Sequence, residues 1–131
     1  MKAINKSLVQ LMGSGPYSKA PAGDMSGNIT SPVLDIQNVD EVSFQFVWAG
    51  TSEAGTLDIQ TSNDYTDYNG TVTNAGTWDS VTFSPAIPSP SGSDGHSTAY
   101  MALVPSKALR VVYTYSAGTG ALTINVVTKG I

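Results

Sequence analysis

The sequence contains no cysteine, a single histidine and few charged side chains. Charged residues make up 12% of its 131 positions, against about 25% in typical domains. Without cysteine, disulfide bonds and thiolate metal sites are excluded, and one histidine excludes a zinc site built from several histidines. The chain is still long enough for one domain whose core is held by burial and backbone pairing alone.

A long hydrophobic run is also missing. No apolar stretch approaches the roughly 18–20 residues that a membrane-spanning helix needs. At the start of the chain, MKAINKSLVQLMGSG, polar side chains from Asn5 to Gln10 interrupt the apolar core that an export signal requires. We therefore predict a protein that is not exported and has no membrane partner.

The charges that are present are unevenly distributed. Lys2, Lys6 and Lys19 lie in residues 1–23, which contain no acidic residue, whereas residues 24–131 hold all ten acidic residues and only three basic ones. Nucleic-acid binding depends on clustered lysine and arginine, so an acidic body predicts no nucleic-acid partner. A basic leading segment suits contact with an acidic surface or with a neighbouring copy.

Residues 1–30 are predicted to form an extended N-terminal arm. Ile4, Leu8 and Leu11 recur at helical spacing, which allows a short amphipathic turn but is too little for a stable free helix. Glycine and proline then interrupt regular structure between residues 13 and 23. Such an arm is either disordered alone or ordered by a partner.

Residues 31–131 are predicted to form an all-β domain. Val42, Phe44, Phe46 and Trp48 recur at every second position, and a period of two is typical of a strand with one buried face. Burial of each large apolar side chain contributes roughly 1.5–3 kcal/mol. A slip of one residue would expose all four, so the register of this strand is well determined.

Turn-forming residues recur about every 8–12 positions after residue 31, and no comparable helical pattern appears. This spacing predicts about seven or eight short strands in an antiparallel β-sandwich or jelly-roll-like fold. Residues 107–115 and 121–129 are predicted to form a final hairpin around SAGTG. Its facing side chains would be Leu109, Val111, Tyr113 and Tyr115 on one strand and Leu122, Ile124 and Val126 on the other.

Two segments of the chain resemble each other. VWAGTSEAGTLDI (residues 47–59) and VYTYSAGTGALTI (residues 112–124) share a pattern when the first is shifted by 65 positions. The matched pairs in and beside them are Phe44 with Leu109, Phe46 with Val111, Trp48 with Tyr113, Gly55 with Gly120, Leu57 with Leu122 and Ile59 with Ile124. Either two equivalent hairpins face a shared core, or short β-segments resemble one another by chance, and both explanations stay open.

Residues able to perform catalysis are scarce. His96 lies in the polar segment SDGHST, and no GxSxG motif accompanies the many serines. Glu41 and Glu53 are the only glutamates, and both are predicted to be surface charges at strand ends rather than the paired carboxylates of a glycosidase. We therefore predict that the protein is not an enzyme and carries no cofactor.

One group of polar side chains resembles a metal site without matching one. Asp64, Asp67 and Asn69 offer the oxygen ligands that calcium prefers. Their spacing does not match an EF-hand loop, and aspartate and asparagine are expected in turns because they hydrogen-bond to their own main chain. We predict no metal.

Aromatic side chains offer a second kind of candidate site. Alternation assigns Trp48 to the core, which leaves Tyr65 and Tyr68 in a turn-rich segment and Trp78 among polar residues. These three, Tyr65, Tyr68 and Trp78, are candidates for stacking against the rings of a saccharide. Aromatic residues of a β-domain also serve as core, so the assignment remains an alternative.

The amino-acid sequences of three longer segments are similar to those of a known class of proteins. GNITSPVLDIQNVDEVSFQFVWAGTSEAGTLDIQTSND, WDSVTFSP and LRVVYTYSAGTGALTINVVTKG resemble the small structural proteins of bacteriophages, over about residues 27–129. The sequence departs from this pattern in its basic leader, residues 1–24, and in the segment YTDYNG.

The resemblance implies a β-sandwich virion protein, either a capsid decoration or cement protein or a tail accessory, with no catalytic residues. We expect it to assemble in the bacterial host cytoplasm and to bind the major capsid protein or other virion proteins as a homo-oligomer, through its arm and sheet edges. In the arm, the predicted partner-binding residues are Lys2, Lys6, Leu8, Leu11, Met12, Tyr17 and Lys19. The alternative is a carbohydrate-binding or host-adhesion module of a tail or surface protein.

Overall fold

The structure is a computed structural model that describes residues 5–13, 23–37, 39–83, 86–102 and 106–130. All regular elements in these ranges are strands: β1 (Asn5–Met12), β2 (Ile29–Thr30), β3 (Leu34–Asp35), β4 (Glu41–Ser62), β5 (Thr66–Tyr68), β6 (Thr71–Asn74), β7 (Asp79–Ser80), β8 (Gly95–Ala102) and β9 (Ala108–Gly130). No helix that could span a membrane occurs in the described ranges. The predicted all-β antiparallel class is confirmed.

Two long strands, β4 and β9, form the centre of the molecule. They have 22 and 23 residues and pair antiparallel from Glu41 opposite Lys129 to Ser62 opposite Ala108. Each strand continues through its small-residue segment, AGTSEAG in β4 and SAGTG in β9, and a turn was predicted at SAGTG. The predicted final hairpin of residues 107–115 and 121–129 is therefore wrong, because residues 108–115 and 121–129 belong to the two halves of β9, and each half pairs with β4.

The remaining strands extend this pair into two layers. Layer 1 consists of β1, residues 121–130 of β9, residues 41–50 of β4 and β8, in that order. Layer 2 consists of β2 and β3, residues 108–115 of β9, residues 55–62 of β4 and β7. Buried side chains from both layers form one hydrophobic cluster, so the layers face each other as an antiparallel β-sandwich. Strands β5 and β6 form a separate small sheet.

The long strands pass from one layer to the other at a bulge. Register shifts occur between Thr51 and Gly55, and the inward positions change from even to odd numbers along β4 and from odd to even along β9. Ser52 and Gly118 have positive φ angles of 53° and 79° at this bend. A Cβ atom on Gly118 would collide with the carbonyl oxygen of Ser52, so the close approach of the two strands requires glycine there.

The core contains the side chains that alternation predicted. Those fully or almost fully buried in β4 and β9 are Val42, Phe44, Phe46, Trp48, Leu57, Ile59, Leu109, Val111, Tyr113, Leu122, Ile124 and Val126. The prediction that Tyr115 faces inward is wrong, because it lies at the bend and is 40% exposed. Within layer 1, the rings of Phe44 and Phe46 stack with centroids 6.0 Å apart.

The internal resemblance has a structural counterpart, although not the predicted one. Phe46 pairs with Ile124, and a shift of 65 positions carries this pair onto Val111 and Ile59, which also pair with each other. The same holds for Trp48 with Leu122 and Leu57 with Tyr113. The matched positions therefore lie on two strands related by a local pseudo-twofold axis through the bend, and the interpretation as two hairpins is wrong.

The beginning of the chain joins the same sheet. Strand β1 pairs with β9, and Asp24 forms a bridge to Ala121 while the amide of Met25 donates to the carbonyl of Gly120, 2.9 Å. The helical turn suggested by Leu8 and Leu11 is replaced by a strand, and Ile4 lies outside the described residues. A register shift between Gln10 and Met12 turns two consecutive side chains, Leu11 and Met12, into the core.

Glu53 is the largest departure from the expected burial. It was predicted to be a surface charge, and that prediction is wrong, because the side chain is fully buried, and neither carboxyl oxygen has a hydrogen-bond partner among the described residues. The bulge turns Glu53 inward, and the segment from Pro90 to Gly92 covers it. There the amide of Gly92 donates to the carbonyl of Glu53, 2.7 Å, and the amide of Gly55 donates to the carbonyl of Pro90, 3.1 Å.

Replacing Glu53 by an apolar side chain of similar length should stabilise the fold. We expect Glu53→Met to raise the free energy of unfolding by about 1–3 kcal/mol, since a buried polar group without partners costs about that much. Glu53→Gln keeps unpaired polar atoms and should gain less. Denaturant unfolding measures both, with Glu41→Gln at the surface as a control that should lose a little stability. Destabilisation by Glu53→Met would contradict this account.

Candidate functional site

The predicted arm residues are only partly visible. Leu11 is 4% exposed and Met12 is fully buried in the chain's own core, so in this structure neither side chain faces a partner. Lys6 and Leu8 have their backbone in β1, but their side chains are not described. The others, Lys2, Tyr17 and Lys19, lie outside the described residues. The role of these five in partner binding stays a prediction.

The exposed side of layer 1 is a regular surface with little charge. Strand pairing places its side chains in rows across three strands, and we call these nine residues the layer 1 outer face: Ser43, Gln45, Val47, His96, Thr98, Tyr100, Thr123, Asn125 and Val127. None of the nine is aspartate, glutamate, lysine or arginine. Its larger apolar side chains are well exposed, with Val47 and Val127 at 39% and Tyr100 at 59%.

An ion pair marks one end of this face. Lys129 Nζ lies 2.8 Å from Glu41 Oε2, and Tyr100 also hydrogen-bonds to the carboxylate. Hydrogen bonding to Lys129, and then to Tyr100, lowers the pKa of Glu41, while the bond to Glu41 raises the pKa of Lys129. The two opposite charges satisfy each other, so they add little net charge to the face.

Layer 2 carries an aromatic and cationic cluster. The rings of Tyr65 and Trp78 lie 5.8 Å apart at 54°, and Arg110 Cζ lies 4.3 Å from the centroid of Trp78. Arg110 is fixed in turn because its Nε donates to Gln60 Oε1, 2.8 Å. The structure brings Tyr65 and Trp78 together, whereas Tyr68 is 72% exposed on β5. The guanidinium covers part of the indole, which leaves Trp78 a less open stacking platform than predicted.

Arg110 was missed by the sequence analysis although a signal for it existed. It lies between the inward-facing Leu109 and Val111, so strand alternation alone directs its side chain outward. Alternation does not indicate which residue faces Arg110 on the neighbouring strand. Gln60 lies beside Arg110 only because β4 pairs with β9.

Asp64 organises the segment that carries Trp78. Its carboxylate accepts hydrogen bonds from the amide of Thr77, 2.6 Å, the hydroxyl of Thr77, 2.9 Å, and the hydroxyl of Ser62, 2.8 Å. These bonds, led by the one from the Thr77 amide, hold the pKa of Asp64 at about 2. The residue therefore ties the end of β4 to the segment before β7, and this capping role accounts for it without calcium.

The Asp64 network should persist to strongly acidic pH. Because the pKa is lowered in the folded state, its stabilisation is present above the ordinary value of about 4 and is lost as pH falls towards about 2. In an NMR titration, the Asp64 carboxyl and the Thr77 amide should share a midpoint near 2. Asp64→Asn should abolish the change at Thr77, with Asp67→Asn as the matched control. A midpoint near 4 would contradict the geometry.

A groove opens on the other side of Tyr65. It has a volume of about 290 Å³ and is lined by Val33, Asp35, Gln37, Tyr65, Thr66, Asp67, Lys107 and Ala108. The lining comes from β3 and the turn after it, from Tyr65 and the start of β5, and from the start of β9. Sequence reasoning missed Asp35, Gln37 and Lys107, because the three stand far apart along the chain from Tyr65 and meet only when β3 pairs with β9.

The single histidine lies at the surface and belongs to no metal-binding cluster among the described residues. His96 is exposed on β8, opposite Val47. Within the described ranges, no three histidine or acidic side chains come close enough together to hold a metal ion.

Comparisons with known proteins relate the chain to others by fold. No protein-family model matches the sequence, and no curated protein matches it. The SPBc2 prophage-derived protein YomS superimposes with a TM-score of 0.54 at 9% identity, covering 99% of this chain and 97% of YomS. Tripeptidyl peptidase 2 gives 0.52 at 11% identity, covering 96% of this chain but 10% of that one. The VP2 subviral particle of infectious bursal disease virus gives 0.49 at 12% identity, with 96% and 32% covered.

At identities this low, structural similarity shows a shared fold and not a shared function. The similarity to YomS extends over nearly the full length of both chains, so the β-sandwich is matched as a whole unit. None of these similarities assigns a function to the site residues described above.

Proposed function

We propose that this chain is a structural protein of a bacteriophage virion, a capsid decoration or cement protein that binds the major capsid protein. The observation that carries the proposal is the layer 1 outer face, a sheet surface whose nine residues include no aspartate, glutamate, lysine or arginine. The resemblance of residues 27–129 to small phage structural proteins supports the choice of the major capsid protein as the partner. The proposal assigns no catalytic role to any residue.

The chemistry of the face suits burial against another protein. The cores of protein interfaces are depleted of charged side chains and enriched in aromatic ones, because a charge that loses water without gaining a partner is costly. Tyr100, Val47 and Val127 are exposed there, among hydroxyl and amide side chains that can hydrogen-bond across an interface. A standard interface buries about 800 Å² on each partner, and many copies on one particle add avidity to weak single contacts.

The basic N-terminal residues would add electrostatic attraction. Lys2, Lys6 and Lys19 are the predicted contacts, and an acidic patch on the capsid or on a neighbouring copy would complement them. This part of the proposal rests on sequence and charge. The apolar anchors reduce to Leu8 and Tyr17, since Leu11 and Met12 are used by the chain's own core.

A charge placed on this face, in the row formed by Ser43, Val127 and Tyr100, should reduce incorporation into particles. We expect Val127→Glu to lower the number of copies on purified virions at least about tenfold, since an unpaired charge in an interface costs more than the 1.4 kcal/mol that a tenfold change needs. Val72→Glu, at a 52% exposed valine on β6, is the matched control and should incorporate normally. Circular dichroism establishes that both variants fold. Normal incorporation of Val127→Glu would refute docking through this face.

Removing the basic charges tests the arm without removing β1. The triple variant Lys2→Gln, Lys6→Gln, Lys19→Gln should reduce incorporation and weaken its dependence on salt, because screened attraction between charges is what the lysines supply. Lys107→Gln, in the body of the domain and away from the layer 1 outer face, is the control. Mass spectrometry of purified particles measures the copy number, and equal incorporation of all variants at low salt would remove the arm from the proposal.

A second candidate function is a carbohydrate-binding or host-adhesion module of a tail or surface protein. What favours it is the groove beside Tyr65, where an aromatic ring adjoins carboxylate, amide and ammonium side chains.

A further inference from the structure

The side chains of the groove are not engaged with one another. Within the described part of the chain, the ion pair is that of Glu41 with Lys129 on layer 1, so Lys107, Asp35 and Asp67 hold no charged partner within ion-pair distance there. One oxygen of Asp35 accepts a hydrogen bond from the amide of Gln37, 3.0 Å, and its other oxygen has no hydrogen-bond partner among the described residues. The groove thus combines hydrogen-bond donors and acceptors that face solvent.

The backbone beneath these side chains is firmly held. Asp35 pairs with Ala108 across β3 and β9, and the amide of Ile36 donates to the carbonyl of Lys107, 3.0 Å. The amide of Lys107 donates to Asn63 Oδ1, 2.9 Å, which connects the start of β9 to the end of β4. A site on paired strands is pre-organised, so a ligand would lose little free energy to ordering the protein.

Tyr65 forms the aromatic wall, and its position is supported from behind. Trp78 packs against it, while Arg110 lies over the indole and Asp64 fixes the neighbouring Thr77. Trp78 does not line the groove. It is therefore a positioning residue for Tyr65 rather than a second stacking surface.

The chemistry of the lining narrows the class of ligand. Two carboxylates against one ammonium disfavour a phosphate or another anion. A metal ion is also disfavoured, because the ammonium of Lys107 would repel it. Among the described residues, no three acidic or histidine side chains come together to coordinate one. A neutral polyhydroxylated ligand fits, because each hydroxyl can donate to Asp35 or Asp67 and accept from Lys107.

We propose that this groove binds one or two units of a neutral saccharide, with Tyr65 against a sugar ring and Asp35, Asp67 and Lys107 bonded to its hydroxyls. The volume of about 290 Å³ is near the lower limit for small-molecule sites and suits a short segment of a glycan. The inference deepens the second candidate function and is independent of docking through layer 1. Of the three aromatic residues predicted to stack, it retains Tyr65 alone.

The test is an NMR titration of the full chain with four named probes: cellobiose, maltose, lactose and N,N′-diacetylchitobiose. At least one should shift the amides of Asp35, Tyr65, Asp67 and Lys107, with a dissociation constant of about 0.1–10 mM, as weak single-site binding implies. Inorganic phosphate and Ca²⁺, added separately, should leave these amides unchanged. Silence from all four sugars at about 50 mM would overturn the proposal, as would a response only to phosphate or Ca²⁺.

Variants locate the site. Asp67→Ala and Tyr65→Ala should each weaken binding at least about tenfold, the loss expected for a hydrogen bond to a charged group or for an aromatic contact. Tyr68→Ala, one position from Asp67 and outside the groove, is the matched control and should bind normally. Unchanged spectra away from the groove establish folding. Binding lost with Tyr68→Ala and kept with Asp67→Ala would also overturn the proposal.

The two functions can fail separately. Asp67→Ala should leave incorporation into virions unchanged, whereas Val127→Glu should leave saccharide binding unchanged, because Asp67 lies on the small β5–β6 sheet and Val127 on the outer face of layer 1.

Discussion

The antiparallel pairing of β4 with β9 is the constraint on which the rest of the structure depends. Both layers contain half of each strand, so every other strand of the sandwich attaches to this pair: β1, β2 and β3 to β9, and β7 and β8 to β4. At the bulge near Ser52 and Gly118 the pair changes layers, and it resumes the same register from Gly55 opposite Tyr115 onward. The outer face of layer 1 and part of the groove lining are built on the two halves of this strand pair.

The alternation of apolar and polar residues predicted most of the core correctly, because side chains two positions apart in a strand lie on the same face. From Val42 to Trp48 and from Leu109 to Tyr113, each inward side chain follows from its neighbour two positions away. The same rule failed at the bend, because the register shifts between Thr51 and Gly55 interrupt the alternation. There Tyr115 is exposed and Glu53 is buried. Small-residue segments that indicate a turn in sequence also permit a bulged strand, and only the partner strand distinguishes the two.

The candidate sites were predictable only in part, because their residues meet through non-local pairing. Tyr65 stood out as an aromatic in a polar segment, but nothing local connects it to Asp35 or Lys107. Likewise, Leu11 and Met12 resembled anchors for a partner, and the register shift in β1 directs both into the chain's own core. Outward positions such as Val127 were implied by strand period, yet the rows they form with Ser43 and Tyr100 required the strand order.

The same long pairing has a kinetic consequence. Ser62 and Ala108 are the paired residues of β4 and β9 nearest in sequence, and all of β5 to β8 lies between them. The two strands on which everything else assembles therefore meet only after a large loop has closed, and domains dominated by such distant contacts fold in milliseconds to seconds rather than microseconds. During that interval, newly made chains expose unpaired apolar strands, which are prone to aggregate. The yield of folded protein should therefore depend on the rate of synthesis and on the concentration of other copies.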